Sequence, residues 1–338
     1  MDTLFGDTAR RLLAQAYPAD VQRAIERGQA APAAWQAVEE SGFLDALVPE
    51  AAGGAGMRLP DVAPLAQAVG WHAVGAPVMQ TVLARAYLYA AGHPAPPGPI
   101  ALAPWAVSID GDGIEARAVG AARAAQWVLA AGPEGTVLLP VADGVAAPSG
   151  GHGSLDADLR WSASAVAAAS PLKASDVALA DLAAVAHAGI IAGALERILE
   201  LTVDYANQRT QFGKPIGRFQ AVQQQISALA EHVWSVRTAA QLAFQSESWM
   251  PGPLLAAQGK ARASAAVAGA ADIAHAVHGA IGVTAEYDLQ RYTRRLREWR
   301  RAAGGESHWY ARIGAHALAA PEASALDYVR AHLYAVAV

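Results

Sequence analysis

Two histidines at helical spacing, His275 and His278, are the residues whose spacing most resembles a metal site. Histidines three positions apart in a helix lie on one face. A metal site needs two or more further ligands, and we find no nearby Asp, Glu or His that completes one. We therefore interpret both histidines as structural and predict no metal.

Other patterns that could carry chemistry are incomplete. Gly53, Gly54 and Gly56 do not form a dinucleotide-binding loop, because no strand precedes them and no helix-opening glycine follows at the required offset. The order of Ser227, Ser235 and the histidines along the chain does not indicate a Ser-His-Asp triad. The chain has no cysteine, which excludes disulfides, iron–sulfur clusters, cysteine-ligated zinc and a cysteine nucleophile.

Composition narrows the class of protein further. The 338 residues predict two or three domains. Hydrophobic residues make up 54% and charged residues 16%, which excludes an extended disordered chain. The net charge is −5 with no Lys/Arg run typical of nucleic-acid binding. No signal peptide is visible, and the longest apolar run, residues 182–195, is shorter than the ~18 residues of a membrane span. We predict a cytoplasmic protein that binds neither nucleic acid nor membrane.

The elements that position any site fall into three regions. Residues 1–97 carry apolar residues at helical spacing and predict an N-terminal helical domain. Residues 98–172 have short apolar runs separated by turns such as 110–113 and 132–135, which predict a small middle antiparallel β domain. Residues 173–338 predict a C-terminal bundle of four or five helices. One long helix of this bundle has an apolar face formed by Val222, Ile226, Leu229, Val233, Val236 and Ala240. The fold class is α+β, mostly α.

Three ordered segments resemble the acyl-CoA dehydrogenase family. Residues 209–220, RTQFGKPIGRFQ, are similar to its arginine–x–x–phenylalanine–glycine loop and the phenylalanine–glutamine that follows. Residues 278–287, HGAIGVTAEY, resemble its glycine turn and the next helix. Near the start, Trp35, residues 42–44, 49–50 and 53–54, and Pro77–Thr81 match its N-terminal domain in order and spacing. The resemblance covers nearly the whole chain.

The resemblance implies a flavoenzyme. Such proteins bind FAD between the β domain and the C-terminal bundle, and they oxidise an acyl-CoA thioester at Cα–Cβ. A carboxylate removes the α-proton, flavin N5 takes the hydride, and an electron-transfer flavoprotein receives the electrons. The resemblance assigns cofactor binding to Arg209, Gln211, Phe212, Gln220, Gly279 and Ala280, with Arg209 acting across an interface between chains.

Some of these assignments have simpler alternatives. The guanidinium of Arg209 suits a pyrophosphate, but an arginine at a helix end also interacts favourably with the helix dipole. Phe212 could instead belong to an ordinary core. Trp105 could stack on a flavin, or it could be a buried aromatic residue.

The sequence departs from the family where the catalytic base is expected. Gapless counting puts the two usual positions of the base at Ala303 and Ala183, and alanine cannot accept a proton. The nearest carboxylates are Glu306 and Asp181, and Glu306 is the best candidate within the chain. A family glutamine falls at Ala276, and the loop that usually contacts the flavin ring is missing around residues 100–113.

Two functions follow from these observations. The first is FAD-dependent α,β-dehydrogenation of an acyl-CoA by this chain. The alternative is a catalytically impaired or non-catalytic partner subunit in a heteromeric acyl-CoA dehydrogenase. Both predict an oligomer, a dimer or tetramer of identical or different subunits, because an FAD site shared between chains requires one.

Overall fold

The computed structural model describes residues 3–109, 113–132, 135–169, 171–172 and 177–333. Helices precede and follow a central β region, in the predicted order. The N-terminal helices are α1 (Thr3–Ala16), α2 (Ala19–Glu26), α3 (Pro32–Glu40), α4 (Leu59–Trp71) and α5 (Val78–Ala90).

The β region contains two small sheets. Its elements are β1 (Ile100–Ala103), β2 (Val107–Ile109), β3 (Gly113–Val119), β4 (Trp127–Gly132), β5 (Gly135–Pro140), β6 (Val145–Pro148), β7 (Ala157–Trp161) and a short helix α6 (Ala163–Ala168). One sheet has the order β1-β4-β5 and the other β2-β3-β7-β6. Strands β1 and β4 pair in parallel, whereas the other pairs in these sheets are antiparallel. The antiparallel prediction is confirmed except for this one pair, which the intervening β2–β3 hairpin makes possible.

The predicted turn at 110–113 lies mostly outside the described residues, as do Pro133 and Glu134 of the turn at 132–135. The strands around both turns are present as expected. They enclose a core of their own, centred on Ile114, Val128, Leu139 and Trp161.

The C-terminal region is a helical bundle, as predicted. Its elements are α7 (Leu179–Gln208), the hairpin strands β8 (Thr210–Gln211) and β9 (Lys214–Pro215), α8 (Gln220–Ala243), α9 (Pro253–His278), α10 (Leu289–Arg301), α11 (Glu306–Ala319) and α12 (Ala325–Tyr328). On α8, Leu229, Val233, Val236 and Ala240 are buried. The spacing of apolar residues predicted this buried face of α8, because an apolar stripe along a helix packs against neighbouring helices.

Helix α7 is the centre of the molecule. It shares one hydrophobic core with the N-terminal helices and with the rest of the bundle. The helix is long and apolar enough to cross a membrane, but 83% of its apolar window is buried inside the protein. Helix α9, with the turn that follows it to Val283, passes the same test of length and composition with 44% buried. Burial explains the apolar character of α7 as that of a core helix.

Glycines let α4 and α7 cross at very short distance. A Cβ atom on Gly70 would lie 1.8 Å from the carbonyl oxygen of Ile190, and one on Gly193 would lie 1.9 Å from that of Gln67. The two helices therefore touch backbone to backbone. This contact fixes the position of α7, which carries part of the candidate site.

Candidate functional site

The arginine-containing segment forms an exposed hairpin at the end of α7. Arg209 caps the helix, with its backbone N–H 2.8 Å from the carbonyl oxygen of Tyr205. Strands β8 and β9 follow, and Phe212 at the tip is 90% exposed with a φ of +50°. Within the described residues, the Arg209 guanidinium makes no hydrogen bond or ion pair. Phe212 is thus not a core residue, and both side chains are free to contact another molecule.

The glycine turn lies at the same end of the bundle. The ring of Tyr205, one turn before Arg209, stacks on His278 with centroids 4.5 Å apart. Gly279 follows directly, ends α9 with a φ of +63°, and has open space where a side chain would project. Arg209 and Gly279 are therefore brought to one end of the molecule. Gln211, Gln220 and Ala280 are exposed there as well.

The predicted cofactor residues can hold an anionic group. An unpaired guanidinium offers five donors that match phosphate oxygens, and a glycine without neighbours allows close approach to the backbone. Both features fit the diphosphate part of FAD.

The two alanines at the expected base positions line a single cavity. Ala183 lies on α7 and Ala303 follows α10, and both face a small cavity of about 20 Å³, room for about one water molecule, that is partly open to solvent. The other lining residues come from α5, from α7, from β1 and β3, from the turns after these two strands and from the loop after α10: Gln80, Leu102, Ala103, Pro104, Trp105, Ala106, Ala116, Arg117, Ala118, Val119, Gly120, His187 and Ala302. No carboxylate is among these described lining residues, so the cavity offers no acid for proton removal.

A buried lysine fixes the backbone of the loop that contains Ala303. Lys260 Nζ donates to the carbonyl oxygens of Arg300 and Gly304 at 2.9 and 3.0 Å and to Ser264 Oγ at 2.7 Å. The Trp309 indole donates to the carbonyl oxygen of Ala303 at 2.8 Å. Burial lowers the pKa of Lys260 to about 7, and the negative charge of Glu306 opposes that shift.

The two nearby acids are both held by arginines. Glu306 accepts from Arg300 Nε at 3.0 Å and from a second nitrogen of the same guanidinium. These hydrogen bonds hold the pKa of Glu306 below its usual value, which disfavours proton uptake. Asp181 is 3% exposed and is bound through both oxygens by Arg312 of α11. Neither acid lines the cavity.

Sequence reasoning missed two polar residues of the cavity, His187 and Gln80. Both are buried, and each has one side-chain atom without a hydrogen-bond partner. The available signal was a single histidine within the apolar run at 182–195. Trp105 also lines the cavity, but it is 45% exposed with its ring edge-on to His308. The alternative of a buried aromatic is therefore wrong.

The histidine pair has local partners. His275 Nε2 lies 2.9 Å from Thr293 Oγ1, and His278 Nδ1 lies 2.8 Å from the carbonyl oxygen of Ala274. Across the part of the chain that the structure describes, no group of three or more His, Asp or Glu side chains is arranged to hold a metal ion.

Acid should destabilise the protein through its buried histidines. Burial, together with the charge of Lys260, lowers the pKa of His187 from its usual 6.5 to about 4. Between pH 6.5 and 4 the unfolded chain therefore binds a proton that the folded chain does not, so stability falls as the pH falls. We expect a loss of about 3 kcal/mol from this residue between pH 7 and 4. Guanidinium unfolding at both pH values measures it.

The variant His187→Gln provides the comparison, because it removes the pH-dependent contribution of His187 to the free energy of unfolding. Asp156, whose pKa burial raises to about 6, contributes in the opposite sense below that pH. It does so equally in both proteins. Parallel stability–pH curves for the original protein and the variant would contradict the assignment.

Comparison with known proteins gives one consistent result. The profile "Acyl-CoA dehydrogenase, N-terminal domain" matches residues 2–95, and "Acyl-CoA dehydrogenase, C-terminal domain" matches residues 178–318. The chain is 33% identical to the acyl-CoA dehydrogenase IpdE2 of Mycobacterium tuberculosis over 270 residues, covering 76% of this chain and 77% of that protein.

Solved structures share the fold. A chain of the ChsE4-ChsE5 complex from Mycobacterium tuberculosis has a TM-score of 0.78 at 21% identity, covering 94% of this chain and 97% of that one. A structure described as PigA with FAD and proline has a TM-score of 0.73 at 16% identity, covering 93% and 97%.

Proposed function

The chain belongs to the acyl-CoA dehydrogenase family, and from that premise we propose that it is a subunit of a cytoplasmic FAD-dependent enzyme that oxidises an acyl-CoA thioester at Cα–Cβ. Bound FAD would supply the acceptor for the hydride that leaves Cβ, and an electron-transfer flavoprotein would receive the electrons. Family membership supports acyl-CoA dehydrogenation in general. The finer assignments below rest on the geometry of this chain.

The exposed hairpin supports FAD binding between chains. Arg209 would bind the diphosphate with its free guanidinium, and Gln211, Phe212 and Gln220 would flank the adenine half. A 90% exposed phenylalanine is costly to leave in water, and contact with a neighbouring subunit and its cofactor would remove that cost. Gly279 and Ala280 would contribute backbone contacts at the same end of the bundle.

One observation supports the proposal that this chain lacks its own catalytic base: both expected base positions are alanines in a cavity that no carboxylate lines among the described residues. We infer that a different subunit supplies the α-proton acceptor, so this chain is catalytically impaired by itself. The fold is shared with a chain of the two-component ChsE4-ChsE5 complex, which supports a heteromer. Glu306 lies directly after the loop, but its ion pair with Arg300 disfavours it as a base.

The Arg209 assignment is tested by cofactor affinity. We expect Arg209→Gln to weaken FAD binding by about tenfold to a hundredfold, because it removes charge-assisted hydrogen bonds to phosphate. The titration follows flavin fluorescence on the assembled protein. Arg58→Gln, at another exposed arginine whose partners Asp61 and Glu247 are on the surface, is the matched control. Equal FAD affinity of all three proteins would remove Arg209 from the site.

A preparation of this chain alone tests catalysis. With added FAD but without a second kind of subunit, no acyl-CoA in a panel should bleach the flavin absorbance under anaerobic conditions. Rapid bleaching by the lone chain would contradict the partner role and would require a base within it.

A further inference from the structure

A second and much larger cavity lies apart from the one that Ala183 and Ala303 line. Its volume is about 600 Å³, and it is partly open to solvent. Ligand sites in proteins typically enclose about 300–1,000 Å³, so this cavity has room for a small organic molecule. The two cavities share no described lining residue, and none of the residues assigned to FAD lines the larger one.

The larger cavity lies where the N-terminal helices meet the β region. Helix α3 and the loop at 28–32 contribute from the N-terminal side, and residues 97–99 and the turn at 123–126 contribute from the linker and the β region. Tyr17 and Ala76, which are 2% and 8% exposed, complete its buried part. A molecule bound here would therefore contact both parts of the protein.

Most of the wall is apolar. The main apolar contributors are Ile25, Ala31, Pro32, Trp35, Pro99 and Ala125. The indole Nε1 of Trp35 donates to Glu39 Oε2 at 2.7 Å, so the polar atom of this half-buried side chain is already satisfied. What Trp35 offers a ligand is apolar ring surface, which favours a ligand with a ring of its own.

Arg123 is the cation of the lining. Its Nη1 donates to the carbonyl oxygen of Ser154 at 2.6 Å, and its backbone N–H donates to that of Leu155 at 2.9 Å, so the guanidinium is held in place. Its Nη2 lies 3.3 Å from the point that a Cβ on Gly28 would occupy. Among the described residues, no acid pairs with Arg123, and its Nε and Nη2 make no hydrogen bond. A fixed guanidinium with two unused nitrogens is suited to a carboxylate.

The two acids of the lining lie at the other end of α3. Glu39 already accepts from Arg85. Glu40 is exposed and accepts from Gln36 Nε2 at 2.7 Å. From its first residue to Glu40, α3 rises about 12 Å, whereas Arg123 lies beside the loop before this helix. Such a distance exceeds the Debye length of about 8–10 Å, so Glu40 repels an anion at Arg123 only weakly.

We propose that this cavity binds a small amphipathic anion, whose ring-bearing apolar body lies along Trp35 and α3 and whose carboxylate accepts from Arg123. The site is separate from the flavin and thioester chemistry proposed above and does not depend on it. Because the ligand would contact the N-terminal helices and the turn at 123–126 together, its binding should also raise the thermal stability of the chain.

Three probes of one shape test the charge preference. 1-Naphthylacetate, 1-naphthylacetamide and 2-(1-naphthyl)ethylamine carry a negative, a neutral and a positive group on the same ring system. Each is titrated calorimetrically into this chain alone and into the protein assembled with its partner subunit and FAD. We expect the carboxylate to bind at least fivefold more tightly than the amide, because only the carboxylate forms charge-assisted hydrogen bonds with Arg123. The amine should bind most weakly.

Two substitutions locate the site. Arg123→Gln should remove the preference for the carboxylate and leave the affinity for the amide unchanged. Arg160→Gln, at an exposed arginine of β7 that is bound to Glu115, is its control and should keep the preference. Ala30→Trp, at an exposed lining position, should fill the cavity and weaken all three probes. Ala33→Trp, at an exposed position of α3 outside the lining, should weaken none.

Each contrary outcome overturns the inference. Equal affinity for carboxylate and amide, or tighter binding of the amine, would show that the cavity does not select an anion. Binding that survives Ala30→Trp would place the probe elsewhere. Binding to the lone chain but not to the assembled protein would show that a subunit covers the cavity. None of these results alters the FAD titration or the flavin bleaching that test the proposed function.

Discussion

Gly193→Ala should lower the free energy of unfolding by about 3 kcal/mol or more. The new methyl carbon would lie 1.9 Å from the backbone oxygen of Gln67, so helices α4 and α7 must move apart. Overpacking a core costs about 1–3 kcal/mol, and a clash with main chain belongs at the upper end because no side chain can rotate away. Guanidinium unfolding followed by circular dichroism measures the change.

The control uses the same chemical change on an open surface. Gly314 lies within α11 and has nothing within 4 Å of a Cβ. Gly314→Ala should be neutral or stabilise the protein by up to about 1 kcal/mol, because alanine favours helix over glycine. If the two variants had the same stability, the close crossing of α4 and α7 would be refuted.

Arg312→Met should destabilise the protein by about 3 kcal/mol. It leaves the Asp181 carboxylate, which is 3% exposed, without its charged partner. Breaking a buried ion pair from one side typically costs 3–5 kcal/mol. The lower end applies because Asp181 lies in the first turn of α7, where the helix dipole stabilises a negative charge. Thermal and denaturant unfolding report the loss.

Two further variants isolate the cause. Adding Asp181→Leu to Arg312→Met should recover most of the stability, because the stranded charge is then gone. Arg58→Met, which breaks exposed ion pairs, should change stability by less than about 1 kcal/mol. A double variant as unstable as Arg312→Met would show that packing around Arg312, rather than charge, is responsible.

The order of the elements was predictable because it depends on local patterns. The apolar stripe from Val222 to Ala240 and the turn-separated runs of the β region are each readable within one segment, and the structure confirms both. The parallel pairing of β1 with β4 was not predictable, since it joins strands separated by a hairpin. The glycine contact between α4 and α7 also depends on two helices meeting, and neither Gly70 nor Gly193 identifies its partner in the sequence.

The candidate site was predictable in part. Ala183 and Ala303 were identified by counting from motifs, although only the fold places them in one cavity. His187 was visible as a histidine in an apolar run, but its free nitrogen depends on the bond from Nδ1 to Ala183. The pairing of Glu306 with Arg300 joins residues six positions apart across the end of a helix, where spacing does not determine contact.

Lys260 makes the backbone path of the loop after α10 independent of the side chains that this loop presents to the cavity. It holds backbone oxygens of Arg300 and Gly304, so residues 302 and 303 can change without redirecting the loop. A single substitution can therefore add or remove an acid at this wall while the backbone of the loop keeps its course. A buried lysine would in this way allow related chains to diverge in chemistry before they diverge in shape.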